Sequence, residues 1–302
     1  MIRTFQATLL LLLAAACAPA QERAAEHLSV MDDAGRAVTL TAPASRVFSL
    51  LPSITESVVA LGAREVLVAR TDYDRAATIA SLPSLGGTLR PNLEALAALR
   101  PDLVITWASS GQDGTTSRMT ALGVPVYRAE VQTLDDLWRH LSNLGVLLDR
   151  TERAAVVADS LQRSLAVVSE AVAGRARPSV YYSLWHDPPQ TAGTGTYIDE
   201  IVRLAGGRNV FDDAAAAWPQ VSLEEIVRRD PDALVVALPS GASAEHAAWL
   251  RAPGWRELSA AKADRVLLVD SDVFNRPGPH VGEVARELAA FLHPDVMVPD
   301  SP

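Results

Sequence analysis

Residues 92–106 read NLEALAALRPDLVIT, and residues 222–236 read SLEEIVRRDPDALVV. Each copy opens on a helix N-cap residue, Asn92 or Ser222, followed by Leu and Glu. A short amphipathic helix comes next. Pro-Asp then breaks it (Pro101-Asp102, Pro231-Asp232), and an apolar strand follows. Nine residues separate cap from proline in both copies, which lie 130 residues apart. The chain is therefore built twice. Upstream of each copy the pattern repeats again. Residues 46–62 (RVFSLLPSITESVVALG) predict a strand, a Pro-Ser turn and a helix ending at glycine. Residues 179–207 (SVYYSLWHDPPQTAGTGTYIDEIVRLAGG) predict a strand, a longer Pro/Gly turn and a second glycine-ended helix.

Strand, loop, helix and strand in repeated order imply an α/β fold of two lobes, each with a central, mostly parallel sheet flanked by helices. The lobes are expected at 28–148 and 178–293. Between them, in the connector 149–177, residues 150–174 place Ala154, Val157, Leu161, Leu165, Val168 and Val172 on one helical face. Gly174 and Pro178 should stop that helix. At 1.5 Å per residue it would span about 37 Å, the scale of a lobe. One long rigid helix, not a Gly/Ser linker, thus joins the lobes, and a ligand cleft between them should close only slightly.

The remainder of the composition narrows the function. The chain has 302 residues, 49% apolar, with 27 basic against 36 acidic side chains and a formal net charge of −9. Mean hydropathy is +0.12. This is globular composition, and its acidic balance argues against phosphate-backbone binding, so no nucleic-acid partner is expected. The single cysteine excludes a disulfide framework and a zinc ribbon. Residues 7–16 (ATLLLLLAAA) form an apolar run too short to cross a bilayer, which takes about 20 helical residues. With Arg3 before it and Cys17 after Ala14-Ala15-Ala16, the run reads as a signal peptide over 1–16. The junction resembles a lipobox, with Ala14 where leucine is usual, and Cys17 would become an acylated N-terminus. Residues 17–27 then form a lipid-attached tether and 294–302 a tail. The expected location is the periplasm or the outer face of the cytoplasmic membrane, with a lipid anchor as the sole membrane contact.

In open parallel sheets the ligand crevice lies outside the carboxyl ends of the strands. Tyr73 follows a predicted strand at 66–70, and Trp107 and Trp185 end the strands at 102–106 and 179–184. Trp218 opens the loop before the second repeated helix, and Phe274 follows the strand at 265–269. Aromatics make up only 5% of the chain, yet five fall where they would rim one cleft and present flat apolar faces. Trp138, Trp249 and Trp255 are assigned to packing. No nucleophile elbow, phosphate loop or H-E-x-x-H motif is present, and His27, His140, His186, His246, His280 and His293 are dispersed. No enzyme activity, resident metal or required cofactor is expected. His186, beside Trp185, is a candidate axial ligand to a bound metal. Glu94 and Glu224 admit two readings: complements to a helix dipole, or twin contacts for a twofold-symmetric basic partner.

SLLPSITESVVALGA (49–63), TDYD (71–74), LPSLGG (82–87) and PNLEALAALRPDLVITW (91–107) together resemble the helical-backbone class of periplasmic binding proteins. Members of this class deliver cobalamin, ferric siderophores or haem to ABC importers. Residues 205–236 and VLLVDSDVFNRPGPH (266–280) extend the likeness over about 30–293. The cobalamin-binding members are matched in WPQVS (218–222), in the Pro-Pro of SLWHDPP (183–189), and in Tyr73, Trp107 and Trp218. Thr88-Leu89 and Trp185-His186 depart from them. The resemblance implies a monomeric binding protein that holds a corrinoid between its lobes. Pro52, Ser53, Tyr73, Trp107, Trp185, Trp218, Asp272, Phe274 and Arg276 would contact the ligand. Glu94 and Glu224 would dock to arginines of an ABC permease dimer with its ATPase subunits. A ferric siderophore or haem in the same cleft is the alternative; Arg90, Arg276, Tyr73 and His186 are the groups it would use. A secreted metal-dependent enzyme using His186 or His280 is the alternative of another class.

Overall fold

The computed structural model describes residues 27–108, 114–242 and 244–299. The expected signal peptide, Cys17 and nearly all of the tether lie outside the described residues. The described chain opens with an antiparallel hairpin, β1 (Leu28–Met31) and β2 (Ala37–Leu40), turning at Gly35 with φ +72°.

Three parallel strands, β3 (Val47–Ser49), β4 (Leu103–Trp107) and β5 (Val126–Ala129), make the first sheet in that order. β3 is buried along its whole length, and β4 is buried except at Trp107. Helix α1 (Pro52–Ala60) starts on its proline, whose fixed φ suits a first helical turn, and is followed by Gly62 at φ +71°. Helices α2 (Leu93–Ala98), α3 (Gly114–Ala121) and α4 (Leu134–Leu147) complete this half. The strand expected at 66–70 is not formed. A 3₁₀ turn occupies Arg64–Val66, and only isolated bridges at Leu67 and Arg70 remain. Each pairs with a different segment, Leu67 with Val47 and Arg70 with Ser84, so no continuous ladder develops.

The connecting helix α5 runs Thr151–Ala171, 21 residues or about 31 Å, shorter than expected by roughly one residue at its start and three at its end. Its apolar face is as read: Ala154, Leu165, Val168 and Val172 are buried, and Val157 and Leu161 pack beside them. Small residues bring α5 close to both halves. A Cβ on Gly145 of α4 would lie 2.7 Å from the Ala154 Cβ, and one on Gly282 would lie 2.3 Å from Ser164 Oγ.

The second sheet is built on β6 (Ser179–Ser183). A two-residue hairpin, β7 (Trp185–His186) and β8 (Pro189–Gln190), leads to α6 (Tyr197–Leu204) and β9 (Arg208–Asn209). Then come α7 (Leu223–Arg229), β10 (Ala233–Leu238), α8 (Ser259–Lys262), β11 (Val266–Asp270), α9 (Ser271–Phe274) and α10 (Val281–Leu292), which carries Gly282. The sheet order is β11-β10-β6-β9, all parallel. Successive tyrosines of β6 serve opposite faces, as strand alternation requires. Tyr182 joins the large core shared with α10, whereas Tyr181 packs with Phe211, Trp255 and Ile226 in a smaller one.

The duplicated motifs are equivalent in detail. Asn92 and Ser222 each accept a hydrogen bond from the amide three residues on, Ala95 and Glu225. Arg100 and Asp230 both take left-handed φ, 47° and 38°. The Pro-Asp aspartates then tie neighbouring strands: Asp102 accepts from Ser45 N, Ser45 Oγ and Arg46 N, and Asp232 accepts from Ser179 N and Oγ. Among the described residues no helix is long and apolar enough to cross a membrane.

Candidate functional site

A cavity of about 670 Å³ opens between the two sheets, within the usual range for small-molecule sites. Much of its first wall comes from the carboxyl ends of parallel strands, and turns, a helix start and loops supply the rest. From the first half, β3 leads directly into Pro52 and Ser53, β4 ends in Trp107, and β5 runs into Glu130–Gln132. Tyr73 stands on the tip of the TDYD turn, half exposed. The turn is held by the Asp74 carboxylate, which accepts from Thr71 N and Thr71 Oγ1, both at 2.7 Å. From the second half come Trp185 and Gln190 of the hairpin, Tyr197 at the start of α6, Trp218, and Asn275–Pro277 after α9.

Of the nine expected contact residues, Pro52, Ser53, Tyr73, Trp107, Trp185, Trp218 and Arg276 line this one cavity. Phe274 does not. It is buried in the core, and its carbonyl accepts the Tyr197 hydroxyl at 3.2 Å. Asp272 stands behind Arg276, off the cavity lining, because the single turn of α9 directs its carboxylate at that guanidinium. Aromatics at strand ends do not point to the polar Glu130, Gln132, Gln190 and Asn275, nor to Tyr197, which opens helix α6 instead of ending a strand. Glu130 and Gln132 obey the same strand-end rule as Trp107 and were legible in principle. Tyr197 and Asn275 were not, since Tyr197 packs at 6.2 Å from Trp218 and Asn275 Oδ1 accepts from Tyr182 Oη, both long-range contacts.

The electrostatics centre on Arg276, the only basic residue lining the cavity among the described residues. Its guanidinium donates to Glu56 Oε1 at 3.0 Å, to the Tyr73 carbonyl at 3.0 Å and to Asp272 Oδ1 at 2.7 Å. Arg75 adds a longer contact to Asp272, 3.4 Å. Arg276 thus fastens the two halves together and arrives at the cavity already neutralised by two carboxylates. Burial pushes the Glu56 carboxyl above its ordinary value, outweighing the pull of Arg276.

His186 lies off the cavity lining, stacked on Trp249 with centroids 5.0 Å apart and planes 7° from parallel. Among the described residues no group of three metal-ligating side chains gathers. His140 is fully buried, where Tyr127 Oη lies 2.6 Å from Nδ1 and Asp33 lies 2.9 Å from Nε2. Glu94 and Glu224 are both exposed at the second position of α2 and α7, and neither forms an ion pair among the described residues.

The sequence pattern of the periplasmic binding protein family matches residues 47–273. The vitamin B12-binding protein of Salmonella typhimurium is 30% identical over 263 residues, covering 85% of this chain and 95% of that protein. The crystal structure of the periplasmic vitamin B12 binding protein of Vibrio cholerae superposes with a TM-score of 0.69 at 27% identity, over 83% of this chain and 97% of that one. A periplasmic haem-binding protein from Pseudomonas aeruginosa gives 0.76 at 27% identity, over 86% and 96%. A two-lobed α/β fold with its cleft at the strand ends, together with these matches, makes the chain a member of the periplasmic binding protein family, extracytoplasmic proteins that bind a small solute for an ABC transporter and do not transform it.

Proposed function

We propose that this protein captures a corrinoid, cobalamin or a near relative, between its lobes and delivers it to an ABC importer. The lobes of this reading are 28–148 and 178–293, bridged by 149–177. The mature chain is tethered by a lipid on Cys17, after removal of 1–16. Tyr73, Trp107, Trp185 and Trp218 hold the ligand faces, Pro52 and Ser53 meet its edge, and Arg276 with Asp272 beneath it contributes the polar grip. Glu94 and Glu224 engage the permease dimer.

The observation that carries the ligand class is the charge of the cavity. Five aromatic side chains, Tyr73, Trp107, Trp185, Tyr197 and Trp218, stand in its walls, and the one cation lining it among the described residues is already neutralised by Glu56 and Asp272. A corrinoid is a large, flat ligand with neutral carboxamide side chains and asks for aromatic area without a free cation. Haem propionates and a ferric catecholate are anionic and would meet no unpaired cation there among the described residues, since Arg90 and His186 are off the lining. The vitamin B12-binding relatives point the same way. Haem is the second reading, favoured by Tyr73, whose half-exposed phenol on the cavity wall is a candidate axial donor, and by the haem-binding relative.

Tryptophan fluorescence of the soluble domain from residue 18, titrated with cyanocobalamin, haem and a ferric catecholate under inner-filter correction, is the test. Saturable quenching by cyanocobalamin, weakened at least about tenfold by Trp107→Ala or Trp218→Ala, is the expected result. Quenching by haem or the catecholate alone would transfer the cleft to that ligand.

A further inference from the structure

Glu130 is the one acidic side chain lining the cavity among the described residues, and no cation pairs with it there. Its position is built. As the residue after β5, it donates its amide to Asp33 Oδ2 at 2.6 Å, and its carbonyl lies 3.3 Å from His140 Nε2. Gln132 Nε2 donates to Glu130 Oε1 at 2.6 Å, which fixes the carboxylate. Gln132 is itself pinned: its amide donates to Asp136 Oδ2 at 3.0 Å and its carbonyl accepts from Tyr197 N, across the cleft, at 2.6 Å. Among the described residues no donor reaches Glu130 Oε2. A carboxylate is an acceptor only, so this held, partly exposed oxygen favours N–H or O–H donors on a molecule that fills the cleft and displaces water from it.

Resting on the corrinoid reading, we propose that Glu130 is a specificity-determining residue that accepts hydrogen bonds from ligand carboxamides and excludes the same ligand skeleton when it carries carboxylates. The two halves of the effect have one cause. An amide N–H gains a charge-assisted hydrogen bond from Oε2, whereas a carboxylate in the same position meets a like charge with no cation to mediate. Arg276 cannot mediate, because Glu56 and Asp272 hold it.

The experiment compares cyanocobalamin with its b-, d- and e-monocarboxylic acids, which differ from it by a single amide-to-acid change each. Equilibrium titrations use the wild type, Glu130→Gln and Glu130→Ala, with matched thermal melts as the folding control. The wild type should bind at least one acid isomer at least about tenfold more weakly than cyanocobalamin. In Glu130→Gln that ratio should collapse to within about twofold, because a glutamine amide can also donate to a carboxylate. Glu130→Ala should collapse it too, with some loss of cyanocobalamin affinity. An unchanged ratio in both variants, or a wild type that binds all four corrinoids alike, overturns the assignment of Glu130 while leaving the corrinoid reading intact. A wild type that binds no cyanocobalamin overturns the corrinoid reading and Glu130 with it.

Discussion

Glu56 shows how one side chain carries both stability and closure. Burial raises its folded-state pKa above the ordinary value of 4.5, while the unfolded chain keeps that value. Between those two values the folded protein binds more protons than the unfolded one, so stability falls as pH rises through the window. The expected outcome is that wild type gains stability relative to Glu56→Gln as pH is lowered from 7 towards about 4.5, then runs parallel to it. Urea denaturation across that range reads the difference, and a slope of opposite sign would mean that Arg276, not burial, dominates the site. Legibility varied at this scale. Trp107 and Trp218 were readable because strand ends and loop openings are local features. Glu56 was not, because its partner Arg276 lies 220 positions further along the chain.

Among the elements, α5 has the most distinctive construction. Its periodic face was visible in the sequence, but its close approach to α4 depends on a glycine that carries no periodic signal. Alanine is the better helix former by about 1 kcal/mol, so Gly145→Ala would stabilise an isolated helix. In the folded protein the new methyl meets the Ala154 Cβ at 2.7 Å and the Thr151 Cα at 3.1 Å, and neither can rotate away. The substitution is therefore expected to destabilise by about 1–3 kcal/mol, measured as a lower urea midpoint at unchanged slope. A stabilised variant would show that the two helices can part freely. The repeated Pro-Asp units teach a related lesson. They read as helix breakers, and they are, yet Asp102 and Asp232 also fasten the starts of adjacent strands, a role that appears only when the neighbours do.

For the molecule as a whole, the halves are held by contacts at the back of the cleft and across it. Tyr197 N donates to the Gln132 carbonyl, Leu134 N donates to Glu200 Oε2, and Arg276 reaches Glu56. Such pinning favours a ligand-induced change of no more than about 1 Å in backbone position. On the proposed function, recognition by a transporter would then rest on surface charge more than on a large change of shape. Glu94 and Glu224 occupy equivalent, exposed positions in the duplicated helices, so a twofold permease could meet both at once. With both changed to lysine, cobalamin uptake in cells should fall at least about tenfold while the affinity of the purified protein for cyanocobalamin stays within about twofold. Unimpaired uptake would remove these glutamates from the interface.

The sequence by itself determined the duplication, the α/β class, the apolar face of the connecting helix and the strand end that carries Trp107. Caps, periodicity and Pro-Asp breaks act over a few residues, so they are written locally. Only the tertiary structure decided which residues share the cavity and with what charge. It sent Phe274 into the core, buried His140 against Tyr127, broke the expected strand at 66–70 into isolated bridges, and neutralised Arg276 before any ligand arrives. Each of these outcomes depends on partners distant in the chain, and burial and pairing energies belong to the neighbours a residue acquires on folding.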